Sequence, residues 1–552
     1  MKHMFKQFGT KRAPLTFLIT ALAGITTVAF AADADAKPKK KKKKEEAKAV
    51  VAPDTVHYGK KANESWFKRL NEAFAEQSAM QCFTPPAPPK PGDKAVAAPS
   101  RRIGDPPFDS PPFPTGDWQI GGGPQVIGDP GALRDSPYPL MQAIYDGPNG
   151  KWWYDNRIQL YGWVTVSGNV SSSHNTSLSQ LNNFPMVYSE RGNRVENEQD
   201  VLYIERMADM NQTDHMDWGF RIALLYGLDY RFMGSRGFLN DTNLFRSNKF
   251  SGFDMPMMYF NVYFPHVLQG MELLIGRIIS MPDIEQQLAP NNIMATHSLV
   301  YSFDNYTMWG LWAITKLNSR WTLQAGISTG VDTAPWAGRT LHEKGCVPTG
   351  SFNLQYIAPG GKDSFYIGMN SINSGNFGFN NLNECIESYS HKFNDKVWTT
   401  FEAQYMYTHH AQVTAAATTN NAGMVTVPFQ DGFYPTKAGT VWTAGILNYT
   451  MFRLAPNTIL TFRNEWWDDP YGYRSAYSSS YFESSIGLNW SPNKLLVIRP
   501  EIRFDRSLKR NSLASSTAAY NATGLPETVS GAYDNGTRQN QLSFVIDATF
   551  HF

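Results

Sequence analysis

Beyond Phe30 this 552-residue chain contains no run of 18 or more apolar residues, so no downstream α-helix is expected to cross a bilayer. Cysteine is scarce: Cys82, Cys346 and Cys385 are too few for a disulfide-dense scaffold, leaving room for one pair and one leftover thiol in an exported protein. The net charge of +2 excludes a strong electrostatic pull toward nucleic acid or an acidic partner. There is no phosphate-binding glycine loop followed by lysine and no metal-type cysteine spacing. His409 and His410 are adjacent, so on a strand they point apart, and no third ligand is evident. No metal and no other cofactor is therefore expected. A barrel lipase or protease would need a nucleophile, a base and an orienting partner on one wall; the serines and eleven histidines single out no such set, and no enzyme is expected.

The start of the chain supplies a compartment. Lys2, Lys6, Lys11 and Arg12 precede the apolar stretch 13–30, and Ala29-Phe30-Ala31 fits a small-x-small cleavage site, so residues 1–31 read as a secretory signal peptide, with an uncleaved anchor as the alternative. Residues 32–150 read as a mostly disordered periplasmic arm and linker. They open on "KPKKKKKKEEAKA", place Trp66, Leu70 and Phe74 at helical spacing in a short helix near 63–80, and continue into Pro- and Gly-rich stretches such as "TPPAPPKPG". The run Lys39–Lys44 has two readings: a tether to the cell wall or to anionic headgroups, or a solvated tail.

From residue 151 to 552 the texture changes to alternation. In the final segment "NQLSFVIDATFHF", Leu542, Phe544, Ile546, Ala548, Phe550 and Phe552 take one face, and the other is mostly polar. In "LLVIRPEIRFD" the apolar face opposes Arg499, Glu501, Arg503 and Asp505. A mean hydropathy of −0.38 suits a soluble protein, but a barrel that alternates lipid-facing and lumen-facing residues averages to the same value. Sixteen such segments are expected, among them 157–167, 199–209, 217–229, 256–264, 271–279, 298–315 and 539–552. The connections between them alternate long and short without a break. That parity predicts an all-β fold: a transmembrane antiparallel up-and-down β-barrel of about 16 strands, range 14–18, in the outer membrane of a Gram-negative-type envelope. The terminal aromatics Phe550 and Phe552 then read as the signal by which barrel-assembly machinery inserts the chain.

Three runs, "DHMDWGFRIALLYGLDYRFMGSRGF", "MELLIGRIISMPDIEQQLAPNNIMATHSLVYSFDNYT" and "WTLQAGISTGVDTAPW", resemble the OmpL-like beta-barrel porin 2 family of bacteria. The resemblance covers roughly 152–552. It implies an outer-membrane barrel with porin-like activity, and it implies no catalytic residues.

Candidate sites follow from strand parity. Arg221, Glu402, Arg463, Glu465, Glu483, Arg499, Glu501, Arg503 and Asp505 fall on the inward face, either lining a pore with interleaved charge or pairing to fill a narrow lumen. The loop carrying Asp283 and Glu285 is a candidate constriction, with an ordinary rim loop as the alternative, because an unobstructed 16-stranded barrel would be wide. Parity puts Cys346 and Cys385 on the same outer side, which makes them a candidate disulfide. The stretch 465–477, "EWWDDPYGYRSAY", reads as an aromatic girdle in preference to a sugar-stacking surface. The expected function is a channel for passive diffusion of small hydrophilic solutes. The alternative is a structural barrel tethered to the cell wall through its arm. Expected partners are outer-membrane lipid and the assembly machinery; a homo-trimer fits a large porin, and nucleic acid does not.

Overall fold

The computed structural model describes residues 58–79, 138–173, 182–206, 208–210, 212–235, 237–239, 250–279, 283–336, 348–360, 362–374, 382–394, 396–411, 437–475, 477–509, 532–534 and 538–552. The signal-peptide segment, Lys39–Lys44, Cys82 and Cys346 lie outside these residues.

Among the described residues seventeen strands make one antiparallel sheet: β1 (Ile158–Ser171), β2 (Arg194–Arg206), β3 (Asp217–Gly227), β4 (Gly252–Asp254), β5 (Met258–Phe264), β6 (Met271–Ile279), β7 (Thr307–Lys316), β8 (Trp321–Val331), β9 (Thr349–Ile357), β10 (Asp363–Ile372), β11 (Asn383–Asn394), β12 (Val397–Ala411), β13 (Gly439–Ala455), β14 (Thr458–Asp469), β15 (Ser479–Asn493), β16 (Leu496–Ser507) and β17 (Asn540–His551). Both β4 and β5 pair with β3, so they are two pieces of one stave and the barrel has sixteen staves. It closes because β1 pairs with β2 on one side and β17 on the other, Trp163 facing His551 and Val170 facing Phe544. Closure leaves no unpaired edge, the condition for a sheet to exist in hydrocarbon.

Alternation decides which way each side chain points. On β17, Leu542, Phe544, Ile546 and Phe550 are 39–55% exposed on the outside, while Gln541, Ser543, Val545, Asp547, Thr549 and His551 are at most 5% exposed. Val545 is the one apolar residue on that inner face. The same division holds on β3, β15 and β16. Short turns close locally: the side-chain oxygens of Asn318, Asn394 and Asn493 each accept two backbone N–H groups at 2.9–3.1 Å. An asparagine that mimics a backbone turn in this way fixes strand register at one rim. That rim, where β1 begins and β17 ends, is called the short-turn rim below.

Two expectations need correction. The strand expected at 298–315 begins only at Thr307. Residues Leu299–Ser302 form a helical turn, with the Ser298 hydroxyl accepting from the Tyr301 N–H. The apolar run "SLVYSF" looked like a strand face, but its side chains are buried in a core inside the barrel. The segment 32–150 has a helix within 63–80, where a short one was expected, and further order beyond it. Helices α1 (Trp66–Ser78), α2 (Pro139–Tyr145) and α3 (Gly150–Asp155) pack together ahead of β1. Arg69 Nε donates to the Ala143 carbonyl at 3.0 Å, and the Gly59 N–H to the Tyr145 carbonyl at 2.9 Å. These contacts join pieces separated by the Pro-rich stretch, which periodicity within either piece could not reveal.

Placing a charge on the outer face tests the orientation. Ile486→Lys should cost about 2 to 4 kcal/mol if that face meets hydrocarbon near mid-depth, read as a lowered urea midpoint of the barrel refolded in vesicles. An unchanged midpoint would place this face out of lipid.

Candidate functional site

The connection between β6 and β7 turns into the barrel. Of its described residues, 283–306, all but Asn291 and Ala295 are buried. A segment with so little regular structure carries many backbone N–H and C=O groups, and each one buried without a partner costs about 1 to 3 kcal/mol. The inner wall supplies the partners. Glu402 accepts from the Ile284 N–H at 2.7 Å, and Glu501 from the Thr296 N–H and hydroxyl at 2.9 and 2.6 Å. Glu465 accepts from Leu299 and Val300 at 2.7 and 3.0 Å. Arginines take the carbonyls: Arg463 donates to Thr296, Arg499 to Ala289 and Asn292, and Arg503 to His297.

These same side chains pair with one another along the wall. Arg463 meets Glu483 and Glu501, each at 3.1 Å, and lies 3.5 Å from Glu285 on the loop. Arg503 meets Asp505 at 2.7 Å and Glu465 at 3.9 Å, and Arg499 holds Asp547 through its Nε at 2.9 Å. Arg463, Glu483, Arg503 and Asp505 are fully buried. Charges taken from water are tolerable only when paired and hydrogen-bonded in this way.

Six of the nine inward charges expected from parity therefore bond the loop, and Glu483 and Asp505 pair with the arginines that hold it. Arg221 stands apart: it pairs across strands with Glu205 at 2.7 Å, and Glu205 also accepts from the Tyr161 hydroxyl at 2.9 Å. Glu285, on the loop itself, accepts from the Ser298 N–H and hydroxyl at 2.9 and 3.1 Å and from the Tyr449 hydroxyl. Burial alone would raise its pKa, but His297 and Arg463 beside it more than offset that and leave it below the usual range. His297 goes down, burial outweighing the attraction of Glu285. Asp283 is buried at the start of the described loop, near Glu402.

Beside the ionic wall the interior also holds an apolar cluster. Phe303 stacks on Trp467 with centroids 4.8 Å apart, and Ile284, Met294, Leu299 and Val300 join Leu447, Met451 and Tyr481 in one cluster. The stretch 465–477 is accordingly split and is not a girdle throughout. Trp466 points outward and Trp467 inward, because consecutive strand residues take opposite faces, and Tyr473 and Tyr477, beyond the strand, are buried too. Arg474 clamps the end of the loop through the carbonyls of Phe303 and Asp304, at 2.8 and 3.0 Å.

Several contributors escaped the sequence reading. Gln199 on β2 accepts from the Ala289 N–H at 3.0 Å and donates to the Gln287 carbonyl at 2.9 Å. Gln199 and Tyr449 could have been selected by inward parity. The carbonyls of Ala289, Asn292, Thr296 and His297 carry no sequence signal at all. Cys385 is a free thiol on the outer face of β11, and its candidate partner Cys346 is outside the described residues. Phe552 closes the barrel by exchanging backbone hydrogen bonds with Gly162 at 2.9 and 3.1 Å. His409 bonds Thr440 at 2.9 Å, and among the described residues no group of three His, Cys, Asp or Glu could hold a metal ion.

Removing one anchor should loosen the loop without opening the barrel. In Arg499→Ala, Asp547 and the carbonyls of Ala289 and Asn292 lose their donor, and truncating one partner of a buried pair costs about 3 to 5 kcal/mol. Hydrogen exchange should rise across 283–300 and stay unchanged in β12–β15.

No curated protein matches the chain. Among solved structures it is similar to an anion-selective porin from Comamonas acidovorans, with 11% identity and a TM-score of 0.44 over 72% of this chain and 99% of that one. The outer membrane channel DcaP of Acinetobacter baumannii gives 12% identity and a TM-score of 0.40 over 72% and 97%. OmpT of Vibrio cholerae in its trimer form gives 8% and 0.39 over 72% and 99%. Residues 157–552 match the family described as "Putative beta-barrel porin-2, OmpL-like", and the chain belongs to that family of outer-membrane porin-type barrels.

Proposed function

We propose that the protein is a channel for passive diffusion of small hydrophilic solutes, with its short-turn rim in the periplasm and its cut-off set by the infolded segment 283–306. The observation that carries this reading is the one-sided anchorage of the loop. Its ionic bonds run mainly to β12, β14 and β16, and only its last residues reach the other side, where Asn305 donates to Glu384 of β11 at 2.6 Å and accepts from Asn370 of β10 at 2.9 Å. Apart from Glu384, the inner face of β8–β11 presents mainly small neutral polar side chains, among them Ser328, Ser351, Asn353, Ser364, Ser388 and Ser390. The solute path runs between the loop and that neutral wall, and the paired charges act on solutes mainly by holding the loop.

Single-channel recording tests this. Ser388→Trp should lower conductance several-fold, whereas Arg499→Ala should raise it or make it noisy. An absence of conductance steps from the wild-type protein would sink the proposal and favour a structural barrel tethered to the cell wall. Two carboxyls in the connections on the side of the long loops add a pH arm. Burial raises Asp229 to about 7 and Asp332 to about 6, so each gains negative charge as pH rises through those values. The reversal potential in a salt gradient should shift toward cation preference between pH 5 and 8.

We place the expected self-association on the outer wall. Glu387 on β11 lies directly between Ile367 and Ala403 on its neighbouring strands. Three strands away Asn464 accepts from the Ser484 hydroxyl at 2.8 Å. A carboxylate facing acyl chains is costly, and a second copy can offer it the Asn464 amide. Glu387→Leu should shift the detergent-extracted protein from oligomer to monomer while it stays folded by heat-modifiable gel mobility.

A further inference from the structure

The helical segment ahead of β1 shows a surface that the channel reading does not use. Helix α1 is sorted into three faces. Arg69, Ala73 and Gln77, four residues apart, are buried against α2. Lys68 lies 3.0 Å from Glu64, and Lys61 lies 2.8 Å from Glu72, both as exposed or half-exposed ion pairs on a wet side. Between these, Phe67 and Phe74 are two helical turns apart and so share a face. Phe67 is 74% exposed and Trp66 39%.

What lies beside this face identifies its occupant. The Phe74 ring stacks on Phe550, with centroids 5.8 Å apart and planes 14° from parallel. Phe550 is an outer-face residue of β17, 40% exposed, in line with Leu542, Phe544 and Ile546. The apolar face of α1 is thus continuous with the lipid-facing surface of the barrel at the short-turn rim. The bundle is seated there from the inside as well, where Tyr138, just ahead of α2, stacks on inward-facing His551 at 4.6 Å.

We propose that α1 is an interfacial helix. It lies in the plane of the leaflet at the short-turn rim, with Trp66, Phe67 and Phe74 at the headgroup–acyl boundary and Lys61, Lys68 and Glu72 in water. An amphipathic helix with aromatics on one side and charges on the other binds membranes in this way. The partner is phospholipid, and the contact fixes the height of the barrel and the position of the segment that precedes it. The inference uses the barrel's orientation toward lipid and does not depend on conduction.

The test uses the full mature chain, with Cys82, Cys346 and Cys385 replaced by serine, refolded in vesicles of phosphatidylcholine and phosphatidylglycerol. A nitroxide is attached at Phe67→Cys or, one residue along, at Lys68→Cys. The ratio of collision with oxygen to collision with a nickel chelate should be several-fold higher at 67 than at 68. Adding Phe74→Ala should erase the difference while heat-modifiable mobility still reports a folded barrel. Equal ratios at 67 and 68 would overturn the proposal. So would a label that is dry in intact outer membranes but wet in vesicles, since the face would then be covered by a protein.

Discussion

The ionic ladder that runs from Glu402 to Asp547 is the interaction on which the interior depends. A closed sixteen-stave sheet solves its own hydrogen bonding, but it leaves a wide interior to be filled with chain of little regular structure. Such chain offers backbone donors in some places and carbonyls in others. A wall of one charge could satisfy only half of them. Interleaving Arg463, Arg499 and Arg503 with Glu465 and Glu501 gives acceptors to the N–H groups of Thr296, Leu299 and Val300 and donors to the carbonyls of Ala289, Asn292, Thr296 and His297. Mixed sign on the inner wall is therefore first a solution to packing a loop, and only then an influence on ions.

The same requirement explains the division of labour inside the barrel. Apolar contacts such as Phe303 on Trp467 resist exposure to water but are non-directional, so by themselves they would let the loop slide along the wall. A carboxylate accepting two successive N–H groups, as Glu465 does from Leu299 and Val300, is satisfied in one register only. The greasy cluster holds the segment inside, and the ladder fixes where it sits.

Much of this was legible in the sequence, for a physical reason. Period-two alternation is imposed on both faces at once, by lipid outside and by polar contents inside, so even a mixed strand such as β16 declares its orientation through Ile498, Arg499, Pro500 and Glu501. Alternation of long and short connections then counted the staves. What failed was the stretch 298–306, because an apolar run buried by a core inside the lumen looks like one buried by lipid. The partners of the ladder failed for a different reason. Parity says that Arg499 points inward, but it cannot say that two loop carbonyls will be there to meet it.

Order ahead of the barrel follows a related logic. Phe74 and Tyr138 belong to separate short segments, and each is helical or near-helical over too few residues to be stable alone. They become ordered by straddling one rim: Phe74 takes the outer ring of Phe550, and Tyr138 takes the inner ring of His551. Because Phe550 and His551 are neighbours on β17, alternation itself presents one aromatic to each side of the wall. The closing strand thus supplies a two-sided grip that neither a helix nor a loop could offer, and the chain ahead of β1 is fixed to the same stave that completes the barrel.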